Sequence, residues 1–171
     1  PSNDGAFFQN DKFSERFKTD ADNKYVVTFS AAKVNTWNTY FNNCGTAENP
    51  IILRATAKSY GLTTGEGTKK SIEGLYIGTN LKTGAGSADP DAGTGNAYVR
   101  FENGTFKTSS WATWFIGNGT YAGHVVAVDS TIESSHQFCL YNGSFTASNC
   151  TFAVNYSNSY IGDSNGKTGT M

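Results

Sequence analysis

Few residues of this chain have the type and spacing that chemistry requires. Residues 103–162 hold three charged side chains, Lys107, Asp129 and Glu133. A glycoside hydrolase needs two carboxyl groups held close together, one as acid and one as base or nucleophile. Asp129 and Glu133 flank the run Thr131-Ile132, four residues apart. Flanking the strand rather than lying within it, they need not face one side, and they read as solvated strand-end groups. His124 and His136 are the two histidines, twelve residues apart and without an acidic partner at ligand spacing. They read as surface turn residues rather than as proton shuttles or metal ligands. Asp89-Pro90-Asp91-Ala92-Gly93 starts like an acidic calcium loop, but the later carboxylates of such a loop are missing. Gly78 lies in no strand–glycine-loop–helix context for phosphate. Cys44, Cys139 and Cys150 match no zinc spacing, and an odd count allows one bridge at most. They read as small buried or free thiols, with a single disulfide as the alternative. No catalytic group, metal or cofactor is therefore expected.

Aromatic side chains are the better lead. Trp111 and Trp114 lie close together, with Tyr121 just beyond. Exposed, they would stack on a sugar or anchor a protein interface; turned inward, they would pack the core. Phe7, Phe8, Phe13 and Phe17 punctuate a charged N-terminal stretch. They suit a capping segment or an arm that docks into a neighbouring copy. Asn103, Asn118, Asn142, Asn149 and Asn155 each begin an Asn-x-Ser/Thr sequon. Each is a possible N-glycosylation site, although Asn-Gly is also ordinary turn chemistry.

The elements that would position these groups follow from composition. Thr, Asn, Ser and Gly make up 73 of the 171 residues, and charged residues only 16 %. A net charge of -1 gives no footprint for nucleic acid or an anionic membrane. No apolar run is long enough to span a bilayer. Pro1 opens a polar segment rather than a secretory leader, so the chain is expected to be either cytosolic or a mature or trimmed product. Aromatics at 14 % argue against disorder, and the small polar residues argue against a helix bundle. Residues 1–44 read as an arm and α/β cap. Tyr25, Val27 and Phe29 would share one face of a strand. Val34, Trp37 and Phe41 recur at helical spacing before Gly45, which predicts a short helix over 31–43. Ile51-Ile52-Leu53 is the first buried strand after the Asn49-Pro50 turn, and residues 84–96 form a long loop.

A repeat decides the architecture. Tyr76-Ile77-Gly78, Phe115-Ile116-Gly117 and Tyr160-Ile161-Gly162 share an aromatic-Ile-Gly core. Thr105-Phe106, Thr131-Ile132 and Thr151-Phe152 form a second series, at spacings of 26 and 20 residues. Val125 to Val128 adds a β-branched strand. An irregular period of this size predicts a solenoid in which short strands stack on their counterparts one coil away. Low charge fits, because like charges on neighbouring coils would stack at about 4.8 Å. Too few leucines exclude a leucine-rich repeat, and the length excludes a propeller.

Gly45 to Ala55 (GTAENPIILRA) resembles the opening coil of right-handed parallel β-helix proteins of the pectin-lyase-like class. The run from Tyr160 to Thr170 is similar to coils of autotransporter-like passengers. The resemblance covers about residues 45–171 and implies an all-β, right-handed parallel β-helix of about five coils behind the N-terminal cap. It also implies an extracellular or cell-surface setting. The expected function is a structural or adhesive solenoid that self-associates through an open C-terminal coil or belongs to a longer surface protein. The alternatives are a polysaccharide lyase or hydrolase, which the resemblance admits, and a carbohydrate-binding module meeting a polysaccharide or host glycan. Nucleic acid is not an expected partner, nor is a membrane span expected.

Overall fold

Parallel strands cannot be joined by tight hairpins, so a chain of short parallel strands must turn corners between layers. The computed structural model describes residues 11–12, 26–35, 39–64, 74–79, 95–109, 112–155, 159–161 and 169–170. After β1 (Asp11–Lys12), strands follow in triplets. The first is β2 (Val26–Phe29), β3 (Ala32–Asn35) and β4 (Thr39–Phe41). Next come β5 (Ile51–Ala55), β6 (Gly61–Thr64) and β7 (Gly74–Ile77). Then follow β8 (Ala97–Glu102), β9 (Thr105–Thr108) and β10 (Thr113–Ile116). The fourth triplet is β11 (Gly123–Val128), β12 (Thr131–Ser134) and β13 (Phe138–Leu140). Last come β14 (Gly143–Ser148), β15 (Thr151–Val154), β16 (Tyr160–Ile161) and β17 (Gly169–Thr170). Each strand pairs in parallel with the strand three places away in the chain. Three all-parallel sheets result. The first runs from β1 through β4 to β16, the second from β2 through β5 to β17, and the third from β3 through β6 to β15. The chain is all-β among the described residues, in the arrangement of a parallel β-helix. No described helix is long and apolar enough to cross a membrane.

Alternate residues of each strand point into the column between the sheets. The second sheet contributes Leu53, Phe101 and Ala127 in one inward row, all fully buried. The third contributes Leu62, Phe106 and Ile132. The first contributes Ile77, Ile116 and Leu140. Each Leu, Ile or Phe of these rows stabilises by about 1.5–3 kcal/mol through removal from water. The sequence repeat is therefore a register: Phe106, Ile132 and Phe152 are cross-strand partners. Ile77 and Ile116 are also partners, but Ile161 pairs with Leu140, so it lies two coils beyond Ile116. The outward side of the first sheet is buried too. Tyr40, Tyr76, Phe115 and Tyr141 stack there in a ladder, with ring centroids 4.9, 5.6 and 5.6 Å apart.

The corners explain the asparagines. Asn103, Asp129 and Asn149 hold φ near +51°, a left-handed conformation that Asn and Asp tolerate because their short polar chains bond locally. Asn103 donates its amide to the Ala55 carbonyl at 3.0 Å, and Asn149 donates to Asp129 Oδ1 at 2.6 Å. Gly78 and Gly117 close the aromatic-Ile-Gly motifs with φ of 66° and 72°. Their N–H groups donate to Phe41 and Ile77 carbonyls one coil earlier, both at 2.8 Å.

One expected element is absent. The described residues of 31–43 form no helix; they contain β3 and β4, which pair with β6 and β7 of the next triplet. Of the residues at i, i+3, i+7 spacing, Val34 lies on β3 and Phe41 on β4, two successive strands. Asn, Thr and Val in that stretch are weak helix formers, and pairing with a neighbouring coil outweighs local spacing. Val27 and Phe29 do share the inward face of β2, whereas Tyr25 and Trp37 lie outside the described residues.

Candidate functional site

The residues singled out by chemistry are scattered. Trp114 is fully buried on β10, and its indole N–H donates to the Glu133 carbonyl at 2.9 Å. Its faces meet Phe101 and Phe138, so it offers no platform to a ligand, contrary to one expectation for it. The reason is period two: Trp114 falls on an inward position between Leu75 and Phe138 in register. Tyr121 is half-buried, with its backbone N–H on Asn118 Oδ1 at 2.7 Å and its carbonyl accepting from Asn142 Nδ2 at 3.1 Å. Trp111, Phe7, Phe8, Phe13, Phe17, Asp89 and Asp91 lie outside the described residues.

The carboxylates stand apart in role. Asp129 accepts the Asn149 amide at the corner between β11 and β12. Glu133 lies on the outward face of β12, opposite Lys107 of β9. Among the described residues no three His, Cys, Asp or Glu groups come together to hold a metal. The cysteines form no disulfide. Burial pushes the Cys44 thiol up to about 12. Cys150 is half-buried, and its Sγ donates to the Ser148 carbonyl at 3.2 Å. Of the sequon asparagines, Asn103 and Asn149 are the left-handed corners, and Asn118 is buried with Oδ1 accepting from two backbone N–H groups. Asn142 is half-buried, while Asn155 is exposed.

The outward face of the second sheet gathers groups that the sequence did not single out together. Tyr98 and His124 occupy paired positions on β8 and β11, with rings stacked 4.5 Å apart at 17°. His124 Nδ1 meets Ser144 Oγ at 2.9 Å on the next strand. Partial burial holds the imidazole below its usual pKa. Four residues along β8, Glu102 takes Arg54 Nε on one carboxylate oxygen at 2.5 Å and Arg100 Nε on the other at 2.6 Å. Burial by itself raises the Glu102 pKa, but the two arginines outweigh it and hold the carboxyl below its usual range. A groove of about 290 Å³ runs beside Arg100, walled by Glu48, Pro50 and Ile52. The signal available was alternation: Tyr98, Arg100 and Glu102 share one strand face, and Arg54 ends the preceding outward row.

Among the described residues, β15 is the last strand of the third sheet. Phe152 lies in register with the buried Ile132 and Phe106, yet it is 40 % exposed. Ala147 continues the row of Phe101 and Ala127 and is likewise exposed. Phe152 meets Phe138 edge-on and Phe145 at a tilt, with ring centroids at 4.9 and 5.7 Å. Comparison with protein-family models, curated proteins and solved structures finds no match for this chain.

Proposed function

We propose that this chain is an extracellular structural or adhesive β-solenoid, a right-handed parallel β-helix that associates through its last coil. The observation that carries this is Phe152. Its inward counterparts Leu62, Phe106 and Ile132 are at most 1 % exposed, whereas Phe152 is 40 % exposed beside an exposed Ala147. Among the described residues β15 ends the third sheet, so one edge of its backbone groups has no described strand beside it. Such an edge, with an inward aromatic beneath it, is a template for another strand in parallel register. A second copy of the chain is the proposed occupant, joining columns into longer rods. Light scattering across a concentration series tests this. The unchanged chain is expected to grow in mass by whole multiples as concentration rises, and Phe152→Lys to stay a single chain. A single chain at every concentration, or growth that Phe152→Lys leaves untouched, would overturn the proposal.

A further inference from the structure

We propose that Arg54 and Arg100 form a receptor for a singly charged oxyanion, a carboxylate or a sulfate ester. The two arginines stand on neighbouring parallel strands, β5 and β8, on the outward face. Arg54 is in register with Glu102, and Arg100 with Ile52, so the two are offset diagonally by about 8 Å at Cα. Glu102 binds both through Nε, one oxygen to each. That contact fixes the planes of both guanidinium groups before any ligand arrives, which lowers the ordering cost of binding. A guanidinium has five N–H donors, and Nε uses one. Among the described residues neither arginine makes another hydrogen bond or ion pair, so the Nη edges of both are unspent there. Their side chains are 49 % and 34 % exposed, against 18 % for Glu102, so the clamp lies beneath and the forks face water.

Charge selects the ligand. Two arginines and one glutamate leave the cluster at +1, which a single negative charge neutralises. Glu48 on the wall of the adjoining groove opposes a dianion. The outward residues that continue this row are Thr28 before Arg54 and Val128 after Glu102, both uncharged. Planar or tetrahedral oxygens meet a guanidinium fork through two parallel N–H bonds, a match that an ammonium lacks. Pro50 and Ile52 line the groove beside Arg100 and would lie against the apolar part of the molecule bearing the anion.

The test follows the Arg Nε–Hε resonances of the whole chain while sodium acetate, sodium methyl sulfate, sodium phosphate or sodium chloride is added at constant ionic strength. Acetate or methyl sulfate is expected to shift the Arg54 and Arg100 signals to saturation. Arg54→Gln or Arg100→Gln is expected to abolish the saturation, Arg100→Lys to weaken it at least several-fold, and Lys107→Gln to leave it intact. A linear drift that chloride reproduces would overturn the site, as would saturation that survives both glutamine variants. Tighter binding of dianionic phosphate than of either monoanion would overturn the charge argument. The site does not depend on self-association, since Phe152 lies on another sheet and Phe152→Lys should bind the anion unchanged.

Discussion

The middle of the column and its last coil carry the same kinds of residue at the same inward positions, yet only the middle is dry. Phe106 and Ile132 are fully buried, and Phe152, next in the row, is 40 % exposed. Phe101 and Ala127 are buried, and Ala147 is exposed. The difference teaches that burial in a solenoid is conferred by the following coil rather than by residue type. Each coil is both a finished wall for the one before and an unfinished floor for the next.

The sharpest way to break this comparison is to empty the same position in both regions. Phe106→Ala should cost about 3–5 kcal/mol, because the side chain is enclosed and leaves a cavity. Phe152→Ala should cost about 1–2 kcal/mol in dilute solution, where part of the ring already meets water. Urea unfolding of the two variants measures both, and equal costs would mean that the last coil is closed.

A second contrast concerns how tightly successive coils approach. Gly117 has φ of 72°, and a Cβ there would strike the Asn142 carbonyl of the next coil. Gly117→Ala should cost about 1–2 kcal/mol from the left-handed backbone alone, and more from the contact. Asn149→Ala, at an exposed corner of the last coil, loses one side-chain bond to Asp129 and sets alanine at a φ of 52°, and should cost about 1–2 kcal/mol without any clash with a neighbouring coil. Thermal melts of the pair rank the two effects.

The smallest effect is electrostatic and belongs to the outward face. Glu102 has a depressed pKa in the folded chain, so its stabilisation is complete above the ordinary glutamate value and fades as pH falls through the folded one. His124 is also depressed, by burial, so its neutral form favours folding above about pH 6.5. That contribution declines as pH drops from there through the folded pKa. Stability should therefore decline in two stages on acidification. An exposed ion pair contributes about 0.2–1 kcal/mol, so the lower stage is shallow. His124→Gln should remove its share of the upper stage, and Glu102→Gln should flatten the lower one. Urea midpoints across pH 3–8 check both, and unchanged profiles would contradict the assignments.

Much of this was legible in the sequence because solenoid stacking writes itself as recurrence. The series Phe106, Ile132, Phe152 was a true register, and so was the pairing of Ile77 with Ile116. The spacing of Val34 and Phe41 imitated one face of a helix although the two lie on successive strands, β3 and β4. Trp114 was ambiguous between core and surface until strand phase was known; the register with Leu75 and Phe138 settled it inward. The arginine clamp was harder to read. Glu102 lies 48 residues from Arg54 and on an adjacent coil, a distance no local pattern encodes. Arg100 and Glu102 sit two apart just before the charge-poor stretch 103–162, and only the strand register brings Arg54 to them.

The central claim is that the last coil is an unfinished floor, and amide hydrogen exchange measures this most directly. Exchange at β12 and β15 would be followed in dilute and in concentrated solution. Protection at β12 should be high and independent of concentration. Protection at β15 should be low in dilute solution and rise as the chains associate. Equal, concentration-independent protection of the two strands would contradict the claim.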